Sequence, residues 1–288
     1  MSGSAPAPRP PPPGQNALRE FLNRHERLFI LTGAGCSTDS GIPDYRDGDG
    51  SWKRAQPVMF RAFMDEPRIR QRYWARSVVG WQAFCRARPN DAHHALAQLE
   101  REDRVELLVT QNVDRLHQAA GSSDVIDLHG RVDLVRCMQC NRQSAREELQ
   151  AELLSHNAAW ATRDARTAPD GDADVETTDY SSFHVPCCAH CDGILKPEVV
   201  FFGESVPAER VAAAMRRLEN SDAVLVVGTS LMVYSGYRFV HLAAQRGKPI
   251  AAVNLGRTRA DDLLTLKVAE PCGAALSCFL GRRSRAAG

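Results

Sequence analysis

The run Ala223-Val224-Leu225-Val226-Val227 is apolar at every position. A strand with one wet face alternates polar and apolar residues. A strand apolar on both faces has to be covered on both, as inner strands of parallel sheets are. Apolar runs recur at Leu28–Leu31 and Ile250–Val253, and at Val105–Val109 and Val125–Leu128 broken only by Glu106 and Asp127, and Val199–Phe202 reads as extended. Between them apolar residues fall at helical spacing. Leu18, Phe21 and Leu22 mark a helix over 16–24. Ala92, Leu96 and Leu99 mark one over 90–100. Two more cover 211–218 and 237–246, the last ending at Gly247 as a C′ residue. Residues 58–84 read as helix broken at Pro67. Strands alternating with helices predict an α/β fold built on a doubly wound parallel sheet. Ligands of such sheets bind at the carboxyl ends of the strands. Here those ends carry Gly33, Gln111-Asn112, His129, Gly228-Thr229-Ser230 and Asn254.

The chain has 288 residues, of which 43% are apolar, enough for one large domain or two modest ones. A net charge of +1 gives no general electrostatic pull toward nucleic acid. No apolar run reaches the ~20 residues that span a bilayer. Residues 1–15 are rich in Pro and Ala with a single Arg and no apolar h-region. They read as a disordered tail, against a secretory signal or a weak transit peptide. Residues 281–288 form a short basic tail.

Nine cysteines, an odd number in a chain without an export signal, argue against a disulfide framework. Four fall in two pairs, Cys137-x-x-Cys140 and Cys188-x-x-Cys191, the spacing of a four-thiolate structural zinc site. Cys188 is preferred to Cys187 because only it restores the two-residue gap. The segment 141–187 between the pairs is longer than the ~15–20 residues of compact ribbons. It is expected to be a flexible insertion, its second half polar and acidic, within a zinc-binding module over about 131–197.

The first strand leads into Leu31-Thr32-Gly33-Ala34-Gly35-Cys36-Ser37-Thr38-Asp39-Ser40-Gly41-Ile42-Pro43-Asp44-Tyr45-Arg46. Glycine lets backbone N–H groups approach a phosphate. The third glycine of the common dinucleotide fingerprint is missing, since Thr38 stands there. The stretch as a whole resembles the signature of the sirtuins, NAD-dependent protein deacylases, and its Asp-Tyr-Arg ending resembles their class II branch. The resemblance runs from about Leu18 to Cys272. It implies a Rossmann-like core over 16–280 with a small zinc-ribbon and helical module inserted.

The resemblance also implies roles. Gly33, Ala34, Gly35, Ser37, Asp44, Tyr45 and Arg46 would wrap NAD. Gln111, Asn112 and Asp114 would hold nicotinamide and its ribose; read from residue type alone, Asn112 and Asp114 suit a helix N-terminus equally well. Gly228, Thr229, Ser230, Asn254, Leu255, Gly256 and Cys272 would line the adenosine half. His129 matches the general base, whereas a lone histidine read without context is a satisfied core or surface residue. Val200, Phe201 and Gly203 match the segment that pairs with a substrate peptide by strand addition, or form a plain core strand. Tyr73 and Arg76, three apart on a helix, match a pair that binds an acyl carboxylate, or form a helix surface with a buried tyrosine. Cys36, His93, His94, His117, His184 and His190 are read as structural.

The expected activity is transfer of an acyl group from protein lysine to ADP-ribose with release of nicotinamide. The acyl pocket is expected to accept groups larger or more acidic than acetyl. The cofactors are NAD and one structural zinc ion. The expected partners are acylated lysines of proteins, with no nucleic acid and no membrane, and the chain is expected to be a monomer. It is expected in the cytoplasm of a bacterium or, in a eukaryote, the mitochondrial matrix. Protein mono-ADP-ribosyl transfer and a non-catalytic NAD or zinc module are the other readings.

Overall fold

A computed structural model describes residues 13–45, 47–49, 51, 53, 57–160, 166–167, 173–174 and 179–280. In chain order the elements are α1 Pro13–Asn23, β1 Leu28–Thr32, α2 Phe60–Asp65, α3 Pro67–Arg86, α4 Asp91–Arg101, β2 Val105–Thr110, α5 Leu116–Ala119, β3 Val125–Asp127, β4 Gly130–Cys137, β5 Gln143–Ala145 and α6 Arg146–His156. They continue with β6 Arg166–Thr167, β7 Ala173–Asp174, β8 Leu195–Val199, α7 Ala208–Asn220, β9 Ala223–Val227, α8 Tyr234–Gln245, β10 Ile250–Val253, β11 Leu266–Val268 and α9 Cys272–Leu276.

Six strands form one parallel sheet in the order β11-β10-β9-β1-β2-β3. Every residue of β1, β9 and β10 is buried. Successive side chains of a strand point to opposite faces, and the core divides accordingly. Leu28, Ile30, Leu225 and Val227 pack with Leu18 and Leu22 of α1 and Leu96 and Leu99 of α4. Phe29, Leu31, Val224 and Val226 pack with Val211 and Leu218 of α7 and Phe239 and Val240 of α8. The sheet is therefore covered on both faces, as the unbroken apolar runs require.

Local signals set the helix ends. Pro67 stands at the start of α3, where its fixed φ and missing N–H do no harm, and it separates α3 from α2. Asn90 caps α4: its Oδ1 accepts Ala92 N–H at 2.9 Å, and His93 Nδ1 accepts Asn90 N–H in return at 3.3 Å.

A second unit carries a three-stranded antiparallel sheet, β5-β4-β8, against α2, α3 and α6. Its core joins Phe63, Tyr73, Trp74, Val135, Leu149, Leu153 and Phe201. The insertion expected to be loop over 141–187 is therefore ordered in its first part, as β5 and α6. Residues 161–165, 168–172 and 175–178, where a polar loop was expected, lie outside the described residues. So do 1–12 and 281–288, and α1 begins at Pro13, inside the tail expected over 1–15.

Candidate functional site

A cavity of about 930 Å³ opens at the carboxyl ends of β1, β2, β9 and β10. Gly33 and Gly35 turn the chain away from β1, and two short 3₁₀ turns follow, Ala34–Cys36 and Thr38–Ser40. Gly33 N–H donates to Val227 O at 3.0 Å and Gly35 N–H to Gly228 O at 2.8 Å. A Cβ on Gly35 would stand 3.0 Å from Gly228 Cα, and one on Gly228, at φ +63°, would stand 2.2 Å from Cys36 N. These glycines let the loop after β1 lie backbone to backbone on the loop after β9. Their N–H groups, expected to meet a phosphate, are both bonded within the protein.

Gly33, Ala34, Gly35, Asp44, Tyr45, Gln111 and Asn112 line one part of the cavity; Gly228, Thr229, Ser230, Asn254, Leu255, Gly256 and Cys272 line another. Arg46 lies outside the described residues. Ser37 and Asp114 stand one layer behind the wall. Ser37 Oγ donates to Asp114 Oδ2 at 2.7 Å, and Asn112 Nδ2 donates to Ser37 Oγ at 3.0 Å and to Gly33 O at 3.1 Å. Asp114 Oδ1 accepts Leu116 N–H at 3.0 Å, so the start of α5 is served by Asp114 and the Asn112 amide is free to brace the glycine loop. Burial raises the Asp114 pKa, opposed by the hydrogen bond from Ser37.

His129 follows β3 and faces the same cavity. Its Nδ1 lies 3.1 Å from Gln111 O, an acceptor, which places the ring hydrogen on Nδ1. Nε2 is then the basic nitrogen, and it takes the Ser235 hydroxyl at 2.7 Å. Desolvation pulls the His129 pKa from 6.5 down to about 4, helped by Arg210 and Arg238 and opposed by the Gln111 carbonyl. The imidazole is therefore a neutral base at physiological pH.

Val200, Phe201 and Gly203 also line the cavity. Val200 N–H donates to His129 O and Phe201 N–H to Glu204 Oε2, each at 2.8 Å. An incoming peptide backbone finds neither donor available there. Tyr73 and Arg76 are not part of the lining. The Tyr73 ring is buried at 4% exposure, 5.4 Å from Phe63 and 5.2 Å from Phe201. Tyr73 packs into the second core and backs Phe201 from behind.

The two cysteine pairs meet at the end of β4. Cys137 Sγ is 3.5 Å from Cys191 Sγ, and Cys140 Sγ is 3.8 Å from Cys188 Sγ. Four sulfurs held about 2.3 Å from a tetrahedral zinc stand about 3.8 Å apart, so the donor set fits the ion. Cys140 N–H points at Cys137 Sγ from 3.5 Å, and a Cβ on Gly193 would stand 2.7 Å from the same sulfur. Cys187 is exposed and outside the cluster.

The Sir2 family model matches residues 33–235. The chain is 64% identical over 269 residues to a Bradyrhizobium diazoefficiens protein named NAD-dependent protein deacetylase 2, covering 93% of this chain and 98% of that one. The chain belongs to the Sir2 family. A NAD-dependent protein deacetylase of Xanthomonas campestris is 64% identical to this Sir2 protein over 261 residues, 91% of this chain and 89% of that one. Among solved structures, Sir2 with a p53 peptide and NAD+ superposes with a TM-score of 0.75 at 31% identity, covering 91% and 95% of the two chains.

Two groups in this Sir2 protein's cavity escaped the sequence reading. Ser235 and Arg238 project from the first turns of α8, and Val206 before α7 with Val211 and Met215 of α7 extend the wall. A serine or an arginine in an amphipathic helix carries no signal of its own. Only the fold brings Ser235 to His129 and the others to the same cavity.

Proposed function

We propose that this Sir2-family protein is an NAD-dependent protein-lysine deacylase, with His129 as its general base. The neutral His129, set by Gln111 O and facing one cavity with the glycine loop and Asn112, is the observation that carries this reading. NAD, when bound, would supply the ribose from which nicotinamide departs and to which the acyl group passes. Gly33 to Gly35, Asn254 and Cys272 would hold its two ends along the rim. Asn112, tied to Gly33 O and Ser37 Oγ, keeps the loop in one position against the nicotinamide end, and Asp114 fixes Ser37. His129 Nε2 exchanges the Ser235 hydroxyl for a substrate hydroxyl and takes its proton. Holding the reacting groups close and away from bulk water supplies much of the rate.

The acyl group is read as larger than acetyl because the cavity continues past Phe201 along Val206, Val211, Ala212 and Met215. An acidic acyl group would find its counter-charge at Arg238, whose Nε is buried with no hydrogen-bond partner, and not at Arg76. The zinc ion would hold the β4 end together and, with four protein ligands, take no part in the chemistry. The named relatives are bacterial, and the protein is read as an enzyme of the bacterial cytoplasm that acts as a monomer.

Nicotinamide release across acetyl-, long-chain- and glutaryl-lysine peptides tests the reading. Acyl-dependent release is expected, falling at least about 10²-fold in His129→Ala. Arg238→Leu is expected to lower kcat/KM for the glutaryl peptide and spare the acetyl one. Release independent of any acyl peptide, with label passing to protein, would overturn deacylation in favour of ADP-ribosyl transfer.

A further inference from the structure

Three residues outside the cavity lining bring metal-binding atoms together in the core. Cys36, His93 and His117 are 1, 0 and 1% exposed. One ligand atom from each lies within 4.8 Å of the other two. Cys36 comes from the turn after β1, His93 from the first turn of α4 and His117 from α5. The two imidazole centroids are 4.8 Å apart.

The hydrogen bonds around His117 leave one nitrogen over. Thr32 gives its hydroxyl hydrogen to Thr110 Oγ1 at 2.8 Å. With Thr32 donating to Thr110, the 2.8 Å contact between Thr32 Oγ1 and His117 Nε2 takes its hydrogen from the imidazole. His117 Nδ1 is buried with no hydrogen-bond partner, and in that tautomer it presents a lone pair. A buried acceptor left without a donor is costly and calls for a ligand. His93 is only loosely held: Nδ1 is 3.3 Å from Asn90 N and Nε2 is 3.4 Å from Ser37 Oγ.

We propose that Cys36, His93 and His117 form a site for one Cu(I) ion, with Cys36 Sγ, His117 Nδ1 and one nitrogen of His93 as ligands. Thiolate and imidazole together suit soft ions. Zinc wants a fourth ligand, and the cluster offers three. Charge decides the rest. All three side chains are buried, and a net charge placed among them is costly. On binding, the Cu–S bond forms as the S–H bond breaks and the proton leaves to solvent, with no change in oxidation state. One positive charge replaces another, so the core stays as neutral as before; a divalent ion would add an unpaired charge. Bond lengths of about 2.0–2.3 Å ask the three side chains to close in slightly. If His93 binds through Nε2, its hydrogen moves to Nδ1 and the long contact with Asn90 N–H is given up.

The four-cysteine centre also takes Cu(I), so the test starts from zinc-loaded, reduced protein without oxygen. Cu(I) is supplied as its bicinchoninate complex. The protein is expected to withdraw one equivalent while its zinc stays in place, with an X-ray absorption shell of one sulfur and two nitrogens. Cys36→Ala and His117→Gln, each checked for zinc content and cooperative melting, are expected to bind that equivalent at least 100-fold more weakly. Copper displacing zinc one for one, an all-sulfur shell, or unchanged affinity in both variants would overturn the proposal. Where a variant fails to fold, the ligand shell of the unaltered protein decides.

Discussion

At the scale of the residue, His129 owes its chemistry to one carbonyl and to burial. Gln111 O fixes the hydrogen on Nδ1, and desolvation holds the pKa at about 4 against 6.5 in the open chain. Protonation removes the base, so a depressed pKa extends activity downward. The acid limb of kcat/KM for nicotinamide release is expected below pH 5, with a flat profile from pH 6 to 7.5; a limb near 6.5 would mean that NAD binding, or another group, sets the profile. Gly228 is the second residue with a sharp consequence. Its φ of +63° and the Cys36 backbone 2.2 Å from a Cβ there leave no room for any side chain. Gly228→Ala is expected to destabilise by about 2–4 kcal/mol in urea titration and to weaken NAD binding as well. The glycines were legible in the sequence as a site; that they serve the contact between two loops was not, because the partner loop is remote in the chain.

Elements were legible where one period ran unbroken. β1, β2, β9, β10, α4 and α7 lie close to where the apolar spacing put them. β4 escaped because its register shifts between Gly130 and Val135, which spoils the alternation. α6 escaped for a different reason: its buried residues are Arg146, Leu149, Gln150 and Leu153, half of them polar. Arg146 is accommodated by the rings of Trp74 and Trp81, at 5.2 and 4.9 Å, and by Ser77 Oγ at 3.2 Å, none of which its own segment announces. The two cysteine pairs, in contrast, carried the metal centre openly, including the choice of Cys188. Cys188→Ala is expected to lose zinc and lower the melting temperature by several degrees, while Cys187→Ala keeps one zinc per chain; metal analysis and calorimetry check both. Chelation of the unaltered protein is expected to reproduce the Cys188→Ala melt.

For the molecule as a whole, the doubly wound sheet followed from apolar runs that could be satisfied in few other ways. The union of α2 and α3 with the zinc-bearing sheet did not, because it rests on long-range contacts such as Phe63 with Phe201, ring centroids 5.1 Å apart. Protection should follow the sheet order. Amide exchange is expected to be slowest in β1 and β9, which lie inside the sheet and are wholly buried, and faster in the edge strands β3 and β11; equal protection across all six would contradict a core centred on β1.

The central place of β1 also has a meaning for how the protein is made. β1 leaves the ribosome well ahead of one of its two neighbours, β9, since Leu28 pairs with Ala223. At ordinary translation speeds that edge stays unpaired for on the order of tens of seconds. Throughout that interval a nascent chain displays Leu28 to Thr32 as an open, apolar strand. Such an edge is an aggregation hazard, and a fragment that ends before β9 is expected to aggregate where the full chain does not.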